Sequence, residues 1–281
     1  MTTELAEGVY VYRGGVLKGN FGVLLGSERA AVVDTSINLS DPTKMLNFVL
    51  GRGYALVSYV LLTHGHYDHH AGTQVFAPTA VIAHDEVVSF LQAEGEKEFE
   101  RAKRFYPEFE QVQIVYPDIT FQTQMSVYLG DKTLRIFHTP GHSPDSSCVL
   151  VEEDGILFTG DTVTTNLTPF FAQGDSGQLE ESLRLIKQME VRVLVPGHGE
   201  LVSGAEVSKE LDAAIYYLFA LRDQVRRMIE RGVSLEQMLA AVSYEECAGK
   251  AYEDVDVNRT RIRRVIPKMR EEILSSVQRR T

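Results

Sequence analysis

The segment Thr63-His64-Gly65-His66-Tyr67-Asp68-His69-His70-Ala71-Gly72 constrains this chain more than any other. Three histidines (64, 66 and 69) and a carboxylate fall within six residues, directly after the near-continuous apolar run Leu56–Thr63, which reads as a strand. Imidazole and carboxylate together suit zinc, iron or manganese. A strand gives such a group a rigid base, and glycines at 65 and 72 let the backbone turn tightly around it. The same pattern of apolar strand, glycine, then ligand-type residue recurs three times. Leu134–Pro140 runs into Gly141-His142, Ile156–Thr159 into Gly160-Asp161, and Val191–Pro196 into Gly197-His198. Metal sites assemble from separate segments at element ends, so the four segments predict one site.

The rest of the chain is compatible with such a scaffold. Gly8–Arg13 reads as a first strand, and Phe21–Leu25 with Ala30–Asp34 as a hairpin. Asp41 is expected to cap a helix with Pro42 at its first position, and Asp85 to cap another over Val87, Val88 and Leu91. The charged, aromatic stretch 94–112 reads as a helix ending near Pro107. Hairpins are expected at Gly130-Asp131 and Asp154-Gly155, then a helix carrying Leu179, Leu183, Ile186 and Met189. Beyond residue 204 the pattern is helical, near 205–231, 234–242 and 258–279, with capping boxes expected at Ser203–Glu206 and Ser234–Gln237. The division expected is a catalytic unit over residues 1–204 and a helical extension over 205–281.

The net charge of −11 resides in the first two hundred residues, while the helical tail is near neutral. An acidic body argues against a nucleic-acid partner, because phosphate recognition needs positive charge. The arginines of the tail are interleaved with acids and read as solvated helix faces. No stretch approaches the ~20 apolar residues of a membrane span. Two cysteines, Cys148 and Cys247, without CxxC spacing are expected to be buried small hydrophobes in a reducing compartment, which places the chain in the cytoplasm. The partner expected is a small-molecule substrate, with a homodimer admissible.

The motif HxHxDH, followed by single His, Asp and His residues at strand ends, resembles the metallo-β-lactamase fold superfamily, in particular its glyoxalase II-like and lactonase-like branches. The resemblance covers roughly residues 7–202. It implies an α/β (α+β) architecture, a four-layer αββα sandwich with the site at one edge, here followed by a C-terminal helical appendage. It also implies two divalent metal ions, zinc first, with iron or manganese as alternatives. By position, His64, His66 and His142 would hold one ion, Asp68, His69 and His198 the other, and Asp161 would bridge them. The activity implied is hydrolysis of a carboxylic ester, thioester or lactone by a hydroxide shared between the two cations, with Asp68 or Asp161 passing the proton to the leaving group. Many β-lactamases of the superfamily have Cys or Ser where this chain has Asp161, so β-lactam hydrolysis is not expected. A phosphodiesterase, which the low basic content disfavours, and an iron-dependent sulfur dioxygenase are the alternatives.

Other residues carry weaker signals. His70 should point away from its neighbours, and His84 and His138 are expected to be structural. Asp34, at a strand end, would support the site by hydrogen bonding. Tyr67 would face either the site mouth or the packing. Asn166–Phe171 would form a substrate wall. The aromatics of 94–112 are expected to be core, with a lid over the site as the alternative.

Overall fold

A computed structural model describes residues 2–14, 17–248 and 255–278. The strands of the first sheet are β1 (Thr2–Ala6), β2 (Val9–Arg13), β3 (Asn20–Leu25), β4 (Ala30–Val33), β5 (Tyr59–Leu61), β6 (Ala80–His84) and β7 (Ile119–Phe121), side by side in chain order. The first four are antiparallel and the last three join in parallel. The second sheet comprises β8 (Gln124–Tyr128), β9 (Thr133–His138), β10 (Ser147–Val151), β11 (Ile156–Phe158), β12 (Val193–Val195) and β13 (Val202–Ser203). Both expected hairpins of this sheet are present, and only β11 and β12 run parallel. Helices α1 (Ser40–Gly51), α2 (Tyr67–His70), α3 (Asp85–Phe90) and α4 (Glu96–Lys103) belong to the first half of the chain. Helices α5 (Ser176–Lys187), α6 (Ala205–Glu230), α7 (Leu235–Ala241), α8 (Tyr244–Cys247) and α9 (Val255–Gln278) belong to the second.

Alternation along the strands builds the layers. On β2, Val9 and Val11 face the second sheet and meet Leu134, Ile136, Val149 and Phe158, while Tyr10 and Tyr12 face the helices and pack with Met45 and Val49 of α1. The outer face of the second sheet, through Cys148, Leu150, Leu157 and Leu194, packs on α5 and on the C-terminal helices in one continuous cluster. The result is the helix–sheet–sheet–helix sandwich. Both faces of each sheet are covered, which is why strands such as β4, β10 and β11 read as unbroken apolar runs. Both cysteines are buried and free.

Several local expectations are corrected. Asp41 does not cap α1: Tyr12, Ser36 and Asn38 all donate to its carboxylate, which draws it into the interior, and Asn38 accepts from the Asp41 amide instead. The cap of α3 is His84, whose Nδ1 accepts from the Glu86 amide, and not Asp85. Ser203 lies in β13, paired with Val193, so α6 starts at the positive-φ Gly204 with no side-chain cap. The box at Ser234–Gln237 is present with both reciprocal bonds. The helical readings near 85–91 and 94–112 are one arm, α3 and α4 joined by a single wide turn over Leu91–Gly95. This arm stops at Lys103, because Tyr106 must be extended ahead of Pro107, and a short 3-10 turn follows. Strands β1, β7 and β13 and the short α8 were not expected, and the apolar run 56–63 narrows to a three-residue strand.

Asn258 on α9 fastens the C-terminal helices to the loop after residue 165. It is fully buried, accepts from the Thr168 amide at 2.6 Å and donates to the Asn166 carbonyl at 3.2 Å. Replacing it with alanine orphans a buried amide, so N258A should lower unfolding free energy by about 1–3 kcal/mol in a denaturant titration. A change below about 0.5 kcal/mol would show that the loop does not depend on this anchor.

Candidate metal centre

The fold brings the four strand-end segments together. In the second sheet β9 is antiparallel to β10, β10 to β11, and β11 is parallel to β12, so β9, β11 and β12 end on the same edge. Those ends deliver His142, Asp161 and His198. From the first sheet, β5 delivers His64 and His66, and the single turn of α2 presents Asp68 and His69. The Ser147 amide donates to the Thr63 carbonyl at 2.8 Å, and the Asn20 amide to the Gly197 carbonyl at 2.9 Å, so both sheets are stitched at this edge. The close approach requires Gly197, because a Cβ there would lie 2.1 Å from Asp161 Oδ1.

Each of the five histidines has one ring nitrogen turned outward against the scaffold. Thr63 Oγ1 donates to Asp34 Oδ2 at 2.7 Å, so it is an acceptor for His64 Nδ1 at 3.0 Å. His69 Nδ1 donates to Asp34 Oδ2 at 2.8 Å, His142 Nδ1 to the Phe170 carbonyl at 2.8 Å, and His198 Nδ1 to the Leu17 carbonyl at 3.1 Å. His66 Nε2 meets Gln173 Oε1 at 2.9 Å. Outward acceptors hold the proton on the outer nitrogen and leave a lone pair on the inner one. The inner nitrogens converge: His66 Nδ1 and His142 Nε2 are 2.9 Å apart, and two lone pairs at that distance repel unless a proton or a cation lies against them. Buried His64 Nε2, His69 Nε2 and Asp161 Oδ1 have no hydrogen-bond partner among the described residues.

Three groups of donor atoms lie within 4.8 Å of one another: His64, His66 and His142; Asp68, His69 and His198; and His64, His69 and Asp161, which straddles the other two. Asp161 presents Oδ2 toward His142 Nε2 at 3.8 Å and Oδ1 toward His69 Nε2 at 3.4 Å and His198 Nε2 at 3.6 Å. The donor set, its burial and its orphaned atoms fit divalent cations.

The charges divide in the same way. Burial pushes His142 down to about 3, and burial with the neighbouring imidazoles holds His64 well below its ordinary value. Burial opposes charge on His69 and His198 too, but Asp34, Asp68 and Asp161 outweigh it at His69, and Asp161 and Asp68 at His198, so both are raised. Burial alone would raise Asp68; His69 and His198 hold it down at about 2. His64 and His142 are thus held toward the neutral imidazole, while the carboxylates around His69 and His198 keep protons where a cation would otherwise balance the charge.

All seven residues singled out from the sequence meet here, and Asp34 reaches them by hydrogen bonding: it also accepts from the Thr63 amide at 2.8 Å. His70 points away and meets the Val115 carbonyl at 2.6 Å, while His84 and His138 stack on each other with ring centroids 3.7 Å apart. Tyr67 is half-buried with its ring packed against Phe109. The expected substrate wall is corrected at Phe171, which is fully buried in the helical core; Phe170 lies beneath the guanidinium groups of Arg261 and Arg264. Phe99 and Phe109 of the 94–112 segment pack with Ile37 and Ala71, and Phe105 is exposed, so these aromatics are core and surface. Sequence reading missed Gln173, Glu98 and Asp145, the last of which accepts from the Gly65 amide at 2.7 Å. None of them carries a local pattern, although Asp145 stands three residues after His142.

The chain belongs to the metallo-beta-lactamase superfamily, whose family model matches residues 14–198. Among curated relatives, it is 29% identical over 187 residues to the lactamase-like protein nscB of Arthroderma benhamiae, covering 66% of this chain and 37% of that protein. It is 27% identical over 199 residues to an atrochrysone carboxyl ACP thioesterase of Aspergillus terreus, covering 70% of this chain and 55% of the relative. The chain thus spans about a third to just over half the length of these relatives. Among solved structures, a metallo-beta-lactamase family protein from Thermus thermophilus superposes with a TM-score of 0.70 at 20% identity, covering 96% of this chain and 95% of that one. The sec-alkylsulfatase Pisa1 from Pseudomonas sp. gives 0.73 at 17% identity, covering 95% and 50%. At such identities the structural likeness is one of fold.

Elemental analysis of protein purified without chelator should find about two divalent ions per chain, as a two-metal cluster requires. H142A and H198A should each retain roughly one ion, and D161A should lose part of both. Wild-type metal content in all three variants would separate these residues from metal binding.

Proposed function

We propose that this member of the superfamily is a metal-dependent hydrolase of small-molecule carboxylic thioesters, esters or lactones. His64, His66 and His142 would hold one ion, Asp68, His69 and His198 the second, and Asp161 both, with zinc favoured over iron or manganese. The observation that carries this reading is the convergence of five inward imidazole nitrogens and two carboxylates on one edge, each imidazole fixed from behind. When bound, the ions supply Lewis acidity toward a carbonyl oxygen and bring the ionisation of water near neutrality.

The chain's own residues supply the rest. Asp161, facing both groups of histidines, is placed to receive a proton from an attacking water. Asp68 Oδ2, 3.1 Å from His198 Nε2 and the more accessible of the second trio's acidic and imidazole groups, is placed to hand a proton to a leaving group. A cleft of about 830 Å³ opens beside His198. Leu17, Leu167, Val255 and Val257 give it apolar walls, and Arg13, Lys18, Glu200 and Asp256 its charged ones. Such a lining suits an apolar acyl group with a polar end. The similarity to a protein named as an acyl carrier protein thioesterase favours the thioester among the three ester types. We read residues 1–204 as the catalytic unit and 205–281 as a helical extension that walls the cleft. Among the described residues no helix is long and apolar enough to cross a membrane, and the two free buried cysteines suit the cytoplasm.

A panel of acyl thioesters, lactones, bis-p-nitrophenyl phosphate and a chromogenic cephalosporin should give turnover concentrated on the thioesters. Chelation should reduce that rate by at least ~10²-fold and added zinc should restore it, because nucleophile and electrophile both depend on the ions. Efficient turnover confined to the phosphodiester or the cephalosporin would overturn the reading.

A further inference from the structure

His66 differs from the other four histidines of the cluster. Their outer nitrogens meet backbone carbonyls, or side chains of strand ends close by, whereas the outer nitrogen of His66 meets Gln173 Oε1. Gln173 in turn donates through Nε2 to Glu98 Oε1 at 3.0 Å. Glu98 stands on α4 of the helical arm and is only 7% exposed, and its other oxygen has no hydrogen-bond partner among the described residues.

An amide side chain has one accepting and one donating end, and a carboxylate only accepts. The carboxylate of Glu98 therefore decides which way Gln173 points, and the oxygen of Gln173 decides which nitrogen of His66 bears the proton. With the amide reversed, its NH₂ would face His66 Nε2, the ring proton would move to Nδ1, and the nitrogen facing His64 and His142 could no longer donate a lone pair.

The geometry points to Gln173 and Glu98 as a positioning pair that sets the tautomer of His66, so that the helical arm governs occupancy of the site formed by His64, His66 and His142. The inference rests on the proposed role of His66 as a metal ligand. Neither residue touches the reacting atoms. Both act through His66, and the arm is tied to the site a second time where Phe99 packs on the ring of His70.

The test uses the full-length protein and zinc as the probe. In metal-free protein, nitrogen-15 NMR of the histidine rings should show His66 as the Nε2–H tautomer. Q173L, which removes the acceptor, should populate the Nδ1–H form, and E98Q, whose amide can present either end to Gln173, should do so in part. Competition against a chromogenic chelator should show zinc held ~10–100-fold more weakly at one of the two sites in Q173L. The double variant E98Q/Q173E reverses donor and acceptor within the pair while keeping an acceptor against His66, and should restore both tautomer and affinity. These last two are near-isosteric, so the test survives if Q173L fails to fold. An unchanged His66 tautomer in Q173L and E98Q, or failure of the exchanged pair to restore it, would overturn the inference. If the wild-type protein bound no zinc, the metal reading would fall, whereas the tautomer measurement would still decide whether the pair orients His66.

Discussion

Everything at the catalytic edge depends on hydrogen bonds made on the far side of the imidazoles. A histidine offers two nitrogens, and only a scaffold that takes the proton of one makes the other a dependable donor. Asp34 is the clearest instance. Its carboxylate accepts from the Thr63 amide, the Thr63 hydroxyl and His69, and through Thr63 it also fixes His64. It does so from a left-handed backbone conformation, φ 58°, which costs an aspartate roughly 1 kcal/mol or more. That strain is held in place because β4 pairs with β5 on one side and the buried Thr35 hydroxyl donates to the His69 carbonyl on the other. The site is thus rigid before any ion arrives, and rigidity in the surrounding layer is what lets a cluster of like donors be held within van der Waals reach of one another.

How legible this is in the sequence follows from distance along the chain. The seven residues of the cluster stand out because each follows an apolar run and a glycine or lies in the HxHxDH turn, and such a pattern is local. Asp34 is legible for the same reason, as a polar residue closing the strand AVV. Gln173 and Glu98 are not. They reach His66 across 107 and, through Gln173, a further 75 positions of sequence, and a glutamine in a loop or a glutamate on a charged helix resembles dozens of others. The capping error at Asp41 has the same cause, whereas that at Asp85 is local, the adjacent His84 ring taking the capping role. Asp41 has the composition of a helix cap, but Tyr12, 29 residues away, donates to its carboxylate, and that competition exists only in the folded chain.

The fold is legible at the level of layers and blurred at the edges. Strands buried on both faces, such as β10 and β11, have no alternation to lose and are plain in the sequence; the edge strands β1 and β13 are short, partly exposed and carry little apolar signal. The helical arm reads as two helices because Gly95 and the acidic residues around it look like a break. The structure bridges it with one wide turn whose Leu91 and Gly95 are buried, so packing outweighs the weak local propensity.

The acidic balance of the chain also bears on substrate choice. The carboxylates of Asp34, Asp68 and Asp161 are concentrated in the cluster, where His69 and His198 are raised to balance them. Divalent ions binding there would displace those protons and leave the centre near neutral or positive, so attraction of an anionic substrate depends on groups beyond the cluster. Arg13 cannot supply it alone, since it forms a bidentate pair with Glu200. Lys18 lines the cleft beside His198 but also interacts with Glu200, and Arg264 lies over the ring of Phe170, whose carbonyl accepts from His142. On the proposed hydrolase reading, binding of an anionic substrate end would therefore fall to these few cations outside the cluster.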